Sequence, residues 1–170
     1  MKTKVILTLC VVFVLGVASN ASAQVTLIAG SPEDKAFTAC SNEQSLDRKI
    51  TVCQDFEKQF PQSKALPDIF VMLMDAHNQK GDRTNASLAG EKAIKVDPEN
   101  YTALMGVSRN YAIEKKNLVI AGQYAQRAVD SVVKAKAQPR YNEDAGWKTY
   151  LDSISASATA NLAYVKSVKP

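Results

Sequence analysis

An internal repeat is the feature of this sequence that most restricts its fold. Two sets of residues recur, the first at a spacing of 34 and the second at a spacing of 35. The first set is Phe70, Leu73, Met74 and His77, followed by Leu104, Val107, Ser108 and Tyr111. The second is Ala86, Gly90 and Ala93, followed by Ala121, Ala125 and Ala128. The extra residue falls in the polar stretch 114–117, where a loop tolerates it. A period of this length predicts a stack of similar units that bury their apolar faces against one another.

Each copy of the repeat predicts two helices. From 68 to 80 the apolar positions follow one face of a 3.6-residue period, and Gly81 suits the left-handed cap at its end. A second helix is predicted over 85–96, where Asp97 and Pro98 end it. The second copy repeats this pair over 101–114 and 118–136. The sequence therefore predicts an all-α fold of antiparallel helix pairs.

The spacing and the small residues resemble the tetratricopeptide repeat, a 34-residue helix–turn–helix unit. The segment 97–100 (Asp-Pro-Glu-Asn) carries the most specific part of the match. The sequence departs from the family at Met74, where glycine is usual, at Gly90, where an aromatic residue is usual, and after Ala128, where proline is missing. The match covers 67 to about 133. It implies a short right-handed α-solenoid of about two and a half to three repeats, two of them at about 67–100 and 101–137.

The flanking segments complete the predicted stack. A helix over 43–60 is expected to be the second helix of a degenerate preceding repeat, and a long helix over 143–168 is expected to cap the array. Residues 24–42 are expected to form a flexible lead-in to a repeat domain that spans 43–170. Should a following partner helix be missing, the apolar side of Leu162 and Val165 is expected to be left partly uncovered.

The first 23 residues predict a signal peptide. Lys2 and Lys4 precede an apolar run over 5–18, and 21–23 (Ala-Ser-Ala) matches the small-x-small cleavage pattern. The run is shorter than the roughly 20 residues that span a bilayer. We expect cleavage after Ala23 and a soluble chain in the periplasm or outside the cell. An uncleaved N-terminal anchor is the alternative.

Cys40 and Cys53 remain after such a cleavage, and an oxidising compartment would permit a disulfide between them. In one continuous helix their Cα atoms would lie roughly 19 Å apart, whereas a disulfide needs about 7 Å or less. A turn at Ser41 and Asn42 would allow the bond only if the preceding segment ran back as extended chain. The sequence therefore favours two separately buried thiols and leaves the disulfide open.

Composition and motifs predict no chemistry. Without Lys2 and Lys4 the formal net charge falls from +4 to +2, and the charges are interspersed, which gives no footprint for nucleic acid. His77, the single histidine, is expected to pack where the family has tyrosine. There is no cysteine or histidine spacing for zinc, no phosphate-binding loop and no His-Glu-x-x-His motif. We expect no catalytic residues, no metal and no cofactor, and hence no enzyme.

The resemblance implies a binding groove, because the first helix of each tetratricopeptide repeat lines the concave side of the solenoid. The candidates for a groove that binds a partner are Asp68, Val71, Met72, Asp75, Asn78, Gln79, Thr102, Met105, Arg109 and Ile113. Met72 and Met105 would be adaptable apolar contacts. Asp75 and Arg109 would supply a polar pair or a contact to a peptide terminus. The alternative is that all ten are ordinary exposed residues.

Two functions follow as hypotheses. The first is a non-catalytic module of the cell envelope or the extracellular space that binds a protein or peptide. The second is a structural component that self-associates through its last helix, as a homodimer. No nucleic-acid partner is expected, and no membrane contact after signal cleavage.

Overall fold

The computed structural model describes residues 27–169, so the predicted signal peptide lies outside the described residues. Its elements are α1 (Pro32–Asn42), α2 (Leu46–Gln59), α3 (Leu66–Gln79), α4 (Arg83–Val96), α5 (Tyr101–Ile113), α6 (Leu118–Lys136), α7 (Arg140–Glu143) and α8 (Ala145–Ser167). Between residues 27 and 169 there is no strand. The all-α fold class is confirmed, and α3 to α6 begin and end within two residues of the predicted bounds.

The helices form two rows. From α1 to α6 each helix packs against the next along the chain, α6 then packs on α8, and the short α7 contacts α8. In addition α1 contacts α3, α3 contacts α5, and α5 contacts α8. These four helices make up the first row, and α2, α4 and α6 make up the second. The second-row helices α2 and α4 are linked through the long side chains of Glu57 and Lys92 (2.7 Å). Because the backbones approach more closely in the first row, we take that row as the inner face of a short solenoid of three helix pairs and a final helix.

Small residues let the two rows pack closely. Ala86 and Ala93 on α4 and Ala121 and Ala125 on α6 are completely buried. Larger side chains from the first row fill the space between the helices, and Leu104 among them is also completely buried. The repeated alanines found in the sequence are therefore the positions at which second-row helices meet their neighbours.

The turn between α3 and α4 and the turn between α5 and α6 have the same type of helix C-cap, but the second turn is one residue longer. Gly81 ends α3 at φ 78°, and Lys115 ends α5 at φ 52°. In both turns the backbone N–H groups of the positive-φ residue and of the residue after it bond back to helix carbonyls in the Schellman pattern. Gly81 donates to Asn78 and Asp82 to His77, and in the other turn Lys115 donates to Ala112 and Lys116 to Tyr111. The helix after the first turn begins at Arg83, whereas the second turn carries one more residue before α6. The extra residue thus lies within 114–117, as the sequence spacing requires.

The predicted lead-in over 24–42 is wrong for residues 32–42, which form α1. The Ser31 side chain accepts a hydrogen bond from the backbone N–H of Asp34 (3.1 Å), and Pro32 occupies the first helical position. Glu33 and Asp34 place negative charge in the first turn, where the helix dipole favours it. With α1 present, α2 is the second helix of a complete pair.

Cys40 and Cys53 form a disulfide, with Cα atoms 5.0 Å apart, so the expectation of two separate thiols is wrong. Helix α1 continues to Asn42, and Glu43 and Ser45 are then extended. Three extended residues cover about 10 Å. That distance is close to the rise of about 10.5 Å from Leu46 to Cys53 along α2. The link at 43–45 therefore carries the chain along the axis of α2 from the level of Cys53 to the start of that helix, which leaves Cys40 beside Cys53.

Helix α8 occupies the place of the first helix of a further repeat. Asp144 caps it by accepting a hydrogen bond from the backbone N–H of Trp147 (2.9 Å). It packs on both α5 and α6. Val165 is buried against Ala112 and Ala121, and Leu162 is half-buried in the same cluster. The expectation of a partly uncovered side is therefore wrong for Val165, which α5 and α6 cover, whereas Leu162 remains half-buried.

Candidate functional site on the inner face

The ten groove candidates all lie on α3 and α5, the two central helices of the first row. Asp68, Asp75, Gln79, Arg109 and Ile113 are exposed. Val71, Met72, Asn78, Thr102 and Met105 are half-buried. Three of the latter (Val71, Met72 and Met105) also pack against the main hydrophobic core. The inner face therefore has exposed polar positions that stand beside a partly covered apolar floor.

Met72 lies under α1. Its Sδ atom is 3.6 Å from the Sγ atom of Cys40. A disulfide sulfur carries no proton, so this is a van der Waals contact and not a hydrogen bond. Met105 on α5 is likewise half-buried and packs against the main hydrophobic core.

Asp68 and Asp75 on α3 are exposed carboxylates that neighbouring protein atoms partly shield from water. Burial raises the pKa of the Asp68 carboxyl, and the nearby Asp97 adds to the shift. Burial likewise raises the pKa of Asp75, and Lys49 partly opposes it. Within residues 27–169 neither carboxylate makes an ion pair. Each carboxylate is therefore exposed at the surface and at the same time partly shielded from water by neighbouring protein atoms.

Seven residues separate Asp68 from Asp75, which is two helical turns, or about 10.5 Å along α3. Both side chains therefore stand on the same side of the helix. The arrangement gives the inner face two negative groups that no protein cation neutralises by direct contact.

Within residues 27–169 Arg109 makes no salt bridge with Asp75. Its guanidinium lies over the ring of Tyr164 on α8, 5.5 Å from the ring centroid. One residue earlier, the Oγ atom of Ser108 accepts a hydrogen bond of 2.8 Å from Asn161 Nδ2. The approach of α8 to α5 thus decides what Arg109 faces.

Helix α8 adds two tyrosines that the sequence analysis missed. Tyr150 and Tyr164 are 42% and 38% exposed, which leaves ring surface available to a partner. Burial raises the pKa of Tyr101 on α5, and the neighbouring Tyr150 hydroxyl raises it further. The two tyrosines are 14 residues apart, close to four helical turns, so they share one side of α8. That spacing is visible in the sequence and was the signal that could have identified them.

His77 is packed within its pair. Its side chain is 14% exposed, and its Nδ1 atom is 3.4 Å from Asp82 Oδ2 at the start of α4. Across the described part of the chain, no group of three or more histidine, cysteine, aspartate or glutamate side chains could hold a metal ion. None of the helices in that part has both the length and the apolar character to cross a bilayer.

Comparison with known protein families and with curated proteins finds no match to this chain. The geometry by itself defines the class: an all-helical, solenoid-like protein of stacked helix pairs. Its inner face combines exposed carboxylates, a half-buried methionine and exposed tyrosines.

Proposed function

We propose that this chain is an exported, non-catalytic module of tetratricopeptide type that binds a peptide or protein segment along α3, α5 and α8. The observation that carries the proposal is the state of Asp68 and Asp75, which are exposed, partly desolvated and without an ion-pair partner in the described chain. Partly dehydrated charges gain more from an incoming opposite charge than fully hydrated ones do. Such groups are therefore suited to contact a partner.

The charges of the inner face favour a partner with basic side chains. The α3 part of the face carries Asp68 and Asp75, whereas the cation of α5, Arg109, is occupied by Tyr164. Met105 and Tyr150 offer apolar surface next to these charges. A segment with a basic residue near α3 and apolar residues near α5 and α8 would match both features, and charge complementarity of this kind speeds association and selects the partner.

Export to the periplasm or the cell exterior is part of the proposal. The basic start, the apolar run and the Ala-Ser-Ala segment at 21–23 support it, and the Cys40–Cys53 disulfide suits an oxidising compartment. Amino-terminal sequencing of the chain recovered from an envelope fraction is expected to begin at Gln24. A chain that begins at Met1 would refute the cleavage.

Selection from a random peptide library displayed on phage tests the binding function directly. The purified chain is expected to enrich peptides that carry lysine or arginine beside apolar residues. A variant with Asp68→Lys and Asp75→Lys is expected to bind the selected peptides at least about tenfold more weakly, because both carboxylates become cations.

The matched control carries the same change of charge on second-row helices, Asp55→Lys on α2 and Asp130→Lys on α6. It should change the affinity less than about twofold, since those positions lie outside the inner face. Equal losses in the two variants would show that overall charge, and not the inner face, governs binding. Failure to select any peptide would contradict the proposal itself. Self-association through Leu162 and Val165 has no comparable support, because both residues already pack against α5 and α6.

A further inference from the structure

The first helix pair is held together differently from the other two. Cys40 is the only buried residue of α1, whereas α3 and α5 each bury six. The rest of the contact includes the half-buried Ala36 and Phe37, and the Phe37 ring meets the Phe56 ring edge-on at 6.3 Å between centroids. Lys49 Nζ on α2 also donates a hydrogen bond of 3.1 Å to the carbonyl of Ser41 on α1. A helix of 11 residues is marginal in water without tertiary contacts. Packing alone therefore fastens α1 weakly.

The disulfide supplies the missing attachment. Cys40 and Cys53 are both completely buried, and their bond joins the last turn of α1 to the middle of α2. We propose that α1 docks stably only once this bond has formed, so that the inner face is complete in an oxidising compartment and lacks its first helix in a reducing one.

The bond forms by two thiol–disulfide exchanges with an external disulfide such as oxidised glutathione. The thiols of Cys40 and Cys53 lose two protons and one pair of electrons, and the external disulfide takes them up and leaves as two thiols. A reductant that donates two electrons reverses the change and restores both cysteine thiols.

Release of α1 would alter the surface of α3. The Cys40 Sγ atom covers the Sδ atom of Met72 at 3.6 Å, and α1 contacts no other first-row helix than α3 in the described part of the chain. Without α1, Met72 would become accessible, and the first row would shorten from four helices to three. The meaning of this change for a partner rests on the proposed function, whereas the docking of α1 does not.

Hydrogen–deuterium exchange of the purified chain tests the docking. On reduction with tris(2-carboxyethyl)phosphine, the amides of residues 35–42 are expected to exchange about 100-fold faster, because the bond closes a short loop between α1 and α2. The amides of α5 and α6 should not change. The variant with Cys40→Ala and Cys53→Ala should show fast exchange in α1 with or without the reductant, and unchanged α5 and α6 show that it folds. Protection of α1 that persists within about threefold in the reduced chain overturns the proposal.

Methionine oxidation by hydrogen peroxide gives a second readout with an internal control. In the double alanine variant, Met72 is expected to oxidise about tenfold faster than in the disulfide-bonded chain, because its cover is lost. Met74 lies on the same helix and is 1% exposed, so its rate should not change. An equal acceleration of Met74 would show that the bond supports the whole of α3 and would overturn the proposal. Both readouts are made without a partner, so a failed peptide selection and a failed docking experiment are distinguishable.

Discussion

Replacing Gly106 with alanine is expected to change stability in opposite directions depending on Met74. A Cβ atom at position 106 would lie 2.5 Å from both Cε and Sδ of Met74, and its nearest neighbours within 4 Å are all atoms of that side chain. Met74 is 1% exposed, so its side chain has little room to move away. Overpacking of this kind costs about 1–3 kcal/mol. The better helix propensity of alanine offsets about 0.5–1 kcal/mol of that cost.

The free energy of unfolding of Gly106→Ala is therefore expected to fall by about 1 kcal/mol. Met74→Ala alone should lose about 2–5 kcal/mol, because it empties a buried site. In that background the added methyl meets no obstacle, and Gly106→Ala is expected to raise the free energy of unfolding by about 1 kcal/mol. The coupling energy between the two positions would then be about 2 kcal/mol.

Urea unfolding followed by circular dichroism measures the four members of this cycle. Gly90→Ala is the control, because a Cβ at 90 would meet Met74 Sδ at 2.8 Å and would also collide with Val107 Cγ2, which remains when Met74 is shortened. Gly90→Ala should thus destabilise the chain in both backgrounds. If Gly106→Ala has the same effect with and without Met74, within about 0.5 kcal/mol, the reasoning is refuted.

Three further predictions concern the turns, the docking of α8 and the response to pH. Lys115→Gly should raise the free energy of unfolding by about 1 kcal/mol and Gly81→Ala should lower it by a similar amount, because both positions have positive φ, which favours glycine. A Cβ at Gly81 meets no atom within 4 Å, so the backbone conformation alone is tested there. Shifts of the urea midpoint with the same sign in both variants would contradict this. Ser108→Ala should cost about 1–3 kcal/mol in the same assay, because it leaves the buried amide of Asn161 without its partner, and an unchanged midpoint would show that this bond does not support α8. Asp68→Asn should stabilise the chain at pH 7, because the raised pKa of the Asp68 carboxyl means that its ionisation lowers stability as the pH rises through that pKa. The substitution should have no effect below about pH 3, where the carboxyl is protonated in the folded and the unfolded chain alike. Asp82→Asn keeps a side chain that can cap the helix but should destabilise the chain at pH 7, because hydrogen bonds from Asn85 lower the pKa of Asp82 and the stability contributed by its ionised carboxylate is lost only in acid. Changes in stability at pH 7 that have the same sign for both aspartate variants would rule out this explanation.

The repeated units could be predicted from sequence because their core follows a period. Ala86 and Ala121 occupy equivalent positions, and both are completely buried. The boundaries of α3 to α6 followed from the same pattern together with Gly81 and Pro98. Because buried positions recur with the helical period, the sequence pattern identifies these core residues.

Helix α1 was missed although its start carries a recognisable signal. Ser31 and Pro32 followed by two acidic residues form a standard helix N-terminus. The segment was interpreted as a lead-in because its sequence has no apolar stripe to indicate a helix. In the structure Cys40 is its only buried residue. A pair held by a covalent bond needs less hydrophobic periodicity than a pair held by packing, so pattern analysis detects it poorly.

Two of the three departures from the repeat pattern are a single structural feature. Met74 and Gly90 stand 16 positions apart in the sequence and look independent there. In the structure the Met74 side chain occupies the space between Gly90 and Gly106, so a large residue on α3 is matched by the lack of a side chain on α4 and α5. A single sequence does not display such compensation, because it depends on which helices are neighbours and how closely they approach.

The inner face was the least predictable part for a related reason. Asp75 and Arg109 could be assigned to the correct helices, but their contacts depend on helices outside the two clear repeats. Arg109 faces Tyr164 because α8 continues the first row, and Met72 is covered because α1 precedes it. The two outer helices therefore decide which predicted groove residues stay accessible, and they are the helices that the repeat pattern describes least. A partner that binds this face would for the same reason be sensitive to whether α1 is docked and how α8 is placed, even where its direct contacts are with α3 and α5.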